Sequence, residues 1–246
     1  MKEKIELTGI ILSSSPVKDY DKRMVILTKE RGKITAFANG ARKMNSAFSG
    51  ITEPFNYGVF YLYEGYDAYR FAGGDIREYF MDLKNDIEGI CYGYYFCEIL
   101  EYLCVEGIGD INVLNLLYAA LKATEKKVIP AKLIRRIFEL KLLALDGEMM
   151  AAFNCAKCGG DGVASFSLLE NGLICGECAK YVSDVYPLSE STVYTIQYIL
   201  SSPIGKLFSF QVSDRVFCEL DHVVGSYFSK HIQKQFKSLE ILSTLS

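Results

Sequence analysis

The chain has 246 residues, 27 Lys and Arg against 30 Asp and Glu, eight Cys, two His and no Trp, and half of it is apolar. At roughly 100 to 200 residues per domain, this length allows one large domain or two to three small ones around an ample core. The composition excludes a disordered chain, a collagen and a disulfide-dense miniprotein. The longest uncharged stretch, residues 191–205, holds Ser, Thr, Gln and Pro, and falls short of the about 20 mostly apolar residues of a bilayer span. The start, Met-Lys-Glu-Lys-Ile-Glu-Leu-Thr, has no apolar secretory core. A cytoplasmic compartment without membrane association is expected, where thiols stay reduced and serve as core residues or metal ligands.

Charge is unevenly spread. Residues 1–50 carry a net +5, residues 51–80 and 81–150 carry −3 each, and residues 151–246 carry −2. A basic N-terminal segment on an acidic body is either a polyanion site or an ordinary solvated face.

In chain order, residues 5–12, 23–28, 33–38, 55–63 and 68–73 are short runs rich in Ile, Val, Phe, Tyr and Thr. Turn signals separate them: Ser13-Ser14-Ser15-Pro16, Lys29 to Gly32, Asn39-Gly40 and Glu64-Gly65. Five strands at this spacing predict a small OB-type β-barrel over residues 1–80. The period then turns helical. Residues 85–106 place Ile87, Ile90, Tyr94, Cys97, Leu100 and Cys104 at three- and four-residue steps, and Gly107-Ile108-Gly109 stops them. Further helices are predicted over 111–127, from Pro130 to Asp146, over 189–200 and, as one long helix, over 213–237. The fold class is therefore α+β: an OB-fold barrel, then an all-helical domain in two parts, 81–147 and 186–246, interrupted by a cysteine module at 148–185.

That module carries the sharpest signal, Cys155-x2-Cys158-x16-Cys175-x2-Cys178. The spacing lies in the range of zinc sites. Two residues between thiolates let one tight turn aim both sulfurs at one metal, and four thiolates leave no open position, so one structural Zn2+ is predicted. Two redox pairs or plain buried thiols are the competing reading. Cys91, Cys97, Cys104 and Cys218 read as core thiols.

Enzymatic readings fail on missing residues. Gly32-Lys33-Ile34 and Gly205-Lys206-Leu207 lack the rest of a phosphate-binding loop. No H-x-E precedes a P-C-x-x-C for zinc deamination. His222 and His231 lie nine residues apart, on opposite sides of a helix. No enzymatic activity is expected. What remains is Lys22, Arg23, Lys29, Arg31, Lys33, Arg42 and Lys43 among Phe37, Tyr57, Tyr61, Tyr63 and Tyr66. Cations for phosphates with rings for bases are what a barrel needs to hold single-stranded nucleic acid. The tyrosines read equally as strand-face and core residues.

Gly9-Ile10-Ile11-Leu12, Leu27-Thr28 followed by Gly32, the loop Asn39-Gly40-Ala41-Arg42-Lys43, Glu53-Pro54-Phe55, the four cysteines and Phe236-Lys237-Ser238-Leu239, in this order, resemble the bacterial RecO family of DNA repair and recombination mediators. The resemblance spans the chain, though each motif is short. It implies binding of single- and double-stranded DNA, annealing of complementary strands, partnership with RecR, docking on the acidic C-terminal tail of SSB, indirect action on RecA, and a cytoplasmic, nucleoid-associated location. It makes Lys132, Arg135 and Arg136 a candidate seat for the acidic tail, against the simpler reading of solvated charge with Arg135 paired to Glu139 at i,i+4. The acidic total is a departure for a DNA binder. The other class of reading is a zinc-stabilised protein adaptor without direct DNA contact.

Overall fold

The structure is a computed structural model that describes residues 3–245. Its chain divides into two compact units. The first runs through Lys126 and takes the chain up again at Phe236, and the second holds residues 127–235.

The first unit opens with β1 (Lys4–Val17), β2 (Asp21–Thr28), β3 (Gly32–Ala38), β4 (Tyr57–Tyr63) and β5 (Tyr69–Glu78), which form a closed barrel in the order β1-β2-β3-β5-β4. β1 closes it by pairing with β2 on one side and β4 on the other, and β3 lies parallel to β5. This is OB topology. Strand alternation sends Leu7, Ile11, Met24, Ile26, Ile34, Ala36, Phe60, Leu62 and Phe71 inward. β1 is longer than its apolar run. Ser13-Ser14-Ser15-Pro16, which reads as a turn, continues the strand against Val25 back to Lys22 after a bulge between Ile11 and Ser13. The reason is geometric: a strand serving two partners must be long and bent, and a bulge bends it. β5 likewise runs on to Glu78, with register shifts against β4.

Helices α1 (Met81–Lys84), α2 (Ile87–Leu103), α3 (Ile111–Lys126) and α8 (Lys237–Leu245) complete this unit. Asp86 caps α2 by accepting from the Gly89 N–H at 3.1 Å. The single stripe predicted for α2 is too narrow. Ile87 and Tyr94 are exposed, whereas Cys91, Tyr92, Tyr95, Phe96, Cys97, Ile99 and Leu100 are buried. The helix is apolar around most of its girth because β1, β2, α1, α3 and α8 all pack on it. The segment after α2 ties back to the β2–β3 turn. Lys33 N–H donates to the Val105 carbonyl at 3.2 Å and Gly107 N–H to that of Arg31 at 3.0 Å. Gly32, at φ +64°, admits this approach, since a Cβ there would come within 2.4 Å of the Val105 and Ile108 oxygens.

The second unit contains α4 (Ala131–Leu145), β6 (Val163–Ser167), β7 (Gly172–Cys175), α5 (Gly176–Ala179), β8 (Val185–Pro187), α6 (Glu190–Ser201) and α7 (Asp214–His231). The three strands form a small sheet, β7-β6-β8. The long final helix predicted from the sequence is two: α7 ends at His231, and α8 starts after Phe236, a buried ring that returns the chain to the first unit against Tyr95 at 5.5 Å. Cys218, expected in the core, is exposed on α7. Among the described residues no helix is long and apolar enough to cross a membrane.

Buried polar groups join the second unit's helices. Lys141 of α4 donates to the Leu200 and Ser202 carbonyls at 2.8 and 2.9 Å, finishing the C-terminal end of α6. Glu219 of α7 accepts from the Ser189 N–H, the Ser189 and Thr192 hydroxyls and Arg215 at 2.6 to 3.0 Å. Burial alone would raise its pKa, but these donors outweigh it and draw the carboxyl down to about 2. A depressed carboxylate stabilises above its unfolded pKa and stops doing so as pH falls through the folded value. Glu219→Gln should therefore cost about 1 to 3 kcal/mol at neutral pH. Thermal melts should show the gap from wild type closing between about pH 4.5 and 2; a gap that persists at acid pH would contradict this account.

Candidate nucleic-acid interface and metal centre

Outward-facing residues of the barrel fall into two groups. Ile10, Val25 and Leu27 are buried. Of the others, five build a line across all five strands. Arg23 of β2 is the register partner of Phe37 on β3, Phe37 of Arg70 on β5, Arg70 of Tyr63 on β4, and Tyr63 of Lys4 on β1. Register partners share a face, so three cations and two rings alternate along five residues at the about 4.8 Å interstrand spacing. Arg70 lies over the Tyr63 ring at 4.8 Å and Lys4 over the neighbouring Tyr61 ring at 3.8 Å. All five are at least partly exposed. Such a row offers point charges to phosphates and π-faces to unstacked bases along one path.

The predicted basic and aromatic residues separate accordingly. Arg23 and Phe37 stand in the row. Arg42 and Lys43 are exposed beside the β1–β2 turn, where the Arg42 N–H donates to the Tyr20 carbonyl at 2.9 Å and the Gly40 N–H to Asp21 Oδ1 at 2.8 Å. Lys29 is exposed in the β2–β3 turn. Others are committed within the protein. Lys22 pairs with Glu53 at 2.5 Å, and Arg31 bonds Glu64 and the Tyr69 hydroxyl at 2.8 and 2.9 Å. Lys33 donates to the Glu101 carbonyl near the C-terminal end of α2, a helix-capping role. Tyr61 gives its hydroxyl to Asp75, and this bond holds its pKa above the usual phenol value. Lys4 and Arg70 were missed in the sequence. Each is an isolated charge there, and only the parallel β3–β5 pairing aligns them with Phe37.

The seat proposed for an acidic tail changes. Arg136 is buried, with Nη1 on Glu139 at 2.6 Å and Nε on Asp221 at 2.7 Å. Arg135 bonds the same fully buried Glu139 at 2.7 Å. These guanidiniums balance a carboxylate that burial would otherwise penalise, so Arg136 is no surface cation. Lys132 is exposed, its ammonium 4.6 Å from the Phe217 ring.

The four cysteines converge. The sulfurs of Cys155, Cys158, Cys175 and Cys178 all lie within 4.8 Å of one another, with Cys158 and Cys175 at 3.9 Å. A tetrahedron of Zn–S bonds near 2.3 Å has edges of about 3.8 Å, so the set fits a metal of that size. The knuckle is built locally. Gly159, at φ +74°, lets its N–H return to the Cys155 carbonyl at 2.8 Å, and the Cys175 N–H donates to Cys155 Sγ at 3.3 Å. Burial opposes ionisation of Cys155, but the amides of Cys175, Cys158 and Lys157 draw its pKa down to about 6. Hydrogen bonding to Cys158 instead pushes the Cys178 thiol up. No other group of three or more metal-type side chains converges among the described residues.

Fold and site define a class: an OB-barrel protein with a cation–aromatic face and a helical unit that carries a closed four-thiol knuckle. Comparison with known proteins narrows it. Family profiles for the N-terminal and C-terminal parts of Recombination protein O match residues 1–80 and 84–240. The DNA repair protein RecO of Acetivibrio thermocellus is 30% identical over 243 residues, 98% of this chain and 97% of the relative. That of Alkaliphilus metalliredigens is 32% identical over 240 residues, 96% of this chain and 98% of the relative. The chain belongs to the RecO family of DNA repair proteins.

Cys155→Ser should abolish tight retention of a divalent metal, while Cys91→Ser, altering a buried thiol of α2, should retain it as wild type does; metal content after gel filtration, by plasma emission spectroscopy, checks both. Equal retention by the two variants would show that the tetrad is not the metal centre.

Proposed function

We propose that this protein is a non-enzymatic recombination mediator that binds single- and double-stranded DNA on its barrel, anneals complementary strands and, with RecR, helps load RecA onto SSB-coated DNA. The observation that carries the reading is the unbroken row Arg23, Phe37, Arg70, Tyr63, Lys4. On it phosphates meet cations and bases meet rings, with Arg42, Lys43 and Lys29 adding charge from the adjoining turns. Family membership supports the mediator role, the partners RecR and the acidic SSB tail, and a cytoplasmic location on the nucleoid. For the tail, Lys132 is the exposed cation left on α4.

The metal in this reading is one structural Zn2+ held by Cys155, Cys158, Cys175 and Cys178. With all four tetrahedral positions taken by thiolates there is no place for a reacting water. Its contribution is folding energy for the module. The end of α7 then holds that module directly, because Lys230 donates to the Leu168 carbonyl and Asn171 at 2.7 and 2.5 Å.

Anisotropy of a labelled single-stranded oligonucleotide, titrated at several salt concentrations, tests the reading. Affinity should fall steeply with salt through counterion release, and Arg70→Ala should reduce the slope of log K against log salt by about 0.7. Phe37→Ala and Tyr63→Ala should each weaken binding by about 1 to 3 kcal/mol with the slope kept. Annealing rates should drop in the same order. Salt-independent affinity, or three variants that bind like wild type, would exclude the barrel face and favour a zinc-stabilised protein adaptor.

A further inference from the structure

The second unit carries an open cavity of about 790 Å³ between the start of α6, the segment before α7 and the first turns of α7. Its walls are aromatic. Tyr194 and Tyr198 lie 6.2 Å apart at 31°, and Phe210 meets Tyr198 at 5.3 Å and 83°, so two ring surfaces form a corner. Tyr194 is 67% exposed, a large apolar surface left open to solvent at the mouth. Among the lining residues Glu190 is the one ionisable acid or base apart from the tyrosine phenols, and it is exposed.

The sign of the ligand follows from the charges around it. Two helix N-termini border the cavity and would ordinarily favour an anion. Both are already answered. Ser189 caps α6 together with Glu219, Ser213 caps α7, and Glu190 and Asp214 place a carboxylate in the first turn of each. The neighbouring bases do not line the cavity, and Arg215 is bonded to Glu219. The hydroxyls of Thr195 and Ser209 are spent on backbone carbonyls at 2.7 and 2.8 Å. An anion would therefore find no free cation here, whereas a cation would find ring faces and an unpaired carboxylate. The volume is that of a site for a peptide-sized ligand, several times one guanidinium or ammonium.

We propose that this cavity docks a basic peptide segment of a protein partner, with an Arg or Lys side chain held in the Tyr194–Tyr198–Phe210 corner beside Glu190. Flanking aliphatic residues of the segment fill the remaining volume. This site is separate from the barrel row and does not rest on the DNA reading.

Nuclear magnetic resonance of the intact, metal-loaded chain with labelled aromatic rings tests the assignment. The probes are acetyl-Leu-Arg-Leu-amide, its citrulline analogue as the neutral isostere, and acetyl-Leu-Glu-Leu-amide. The arginine peptide should shift the rings of Tyr194, Tyr198 and Phe210 saturably. It should bind about two- to fivefold tighter than the citrulline peptide, the range set by one exposed cation–π contact. Glu190→Gln, which removes one first-turn carboxylate of α6, should lower that preference while the melting temperature falls by no more than about 4 °C, and Tyr198→Ala should abolish the shifts. Equal binding of the arginine and citrulline peptides, no saturable shift with any probe, or preference for the glutamate peptide would overturn the proposal, the last by assigning the cavity to an acidic segment.

Discussion

The parallel contact between β3 and β5 is the constraint on which the first unit depends. It consists of two register pairs, Ala36 with Tyr69 and Phe37 with Arg70. The inward members add a small and a large side chain to the core. The outward members join the two edges of what would otherwise be one open sheet in the order β3-β2-β1-β4-β5. Without closure there, Phe37 would stand on one edge strand and Arg70 on the other, and the row would be cut between them. Arg31 fastens the same seam from outside, holding Tyr69 of β5 and Glu64 of the β4–β5 loop. Gly65 permits that loop to fold tightly, since a Cβ there would stand 1.9 Å from the Ala68 oxygen.

The barrel also explains why several basic residues that look available are not. Lysines and arginines near strand ends meet the C-terminal ends of helices and the acidic turn residues that edge a small closed sheet. Lys33 serves the end of α2, and Lys22 serves Glu53. The second unit repeats the pattern with Lys141 on α6 and Arg136 on Glu139. Buried or half-buried cations are used there as internal connectors, whose worth lies in not leaving carbonyls and carboxylates unpaired. Charge counted along the sequence therefore overstates the charge on the surface.

Much of the architecture was legible because it is written in short-range pattern. Strand runs, the helical period from residue 85 and the cysteine spacing each depend on neighbours within a few positions. The four sulfurs do converge, because two residues between cysteines leave one compact way to turn. What was illegible is non-local. Nothing near Ser13 to Pro16 says that they extend a strand, since the partner that holds them is β2 after the turn. Nothing near residues 232–236 says that the helix breaks, since the cause is the burial of Phe236 against Tyr95, which lies about 140 positions upstream. The row of the barrel face belongs to this class. Its members are spread from residue 4 to residue 70, and only the register brings them into line.

The net charge of −3 then ceases to argue against a polyanion site. A ligand at the barrel face feels charges within about a Debye length, about 8 Å at physiological ionic strength, more than the molecular total. Lys4, Arg70 and Arg23 follow one another at every second strand, about 10 Å apart, so every point along the row lies within that range of a cation, while Tyr61 engages Asp75 and Arg31 engages Glu64, taking two nearby carboxylates partly out of opposition. The acid excess lies from residue 51 onward, and its share on the barrel includes the two carboxylates already engaged, Asp75 and Glu64. On the proposed reading, a protein arranged in this way would hold a strand by a narrow line of contacts and not by a broad basic field. Salt or a competing partner that weakened a few of those contacts would then release the strand, which is the behaviour that pairing and handing over strands requires.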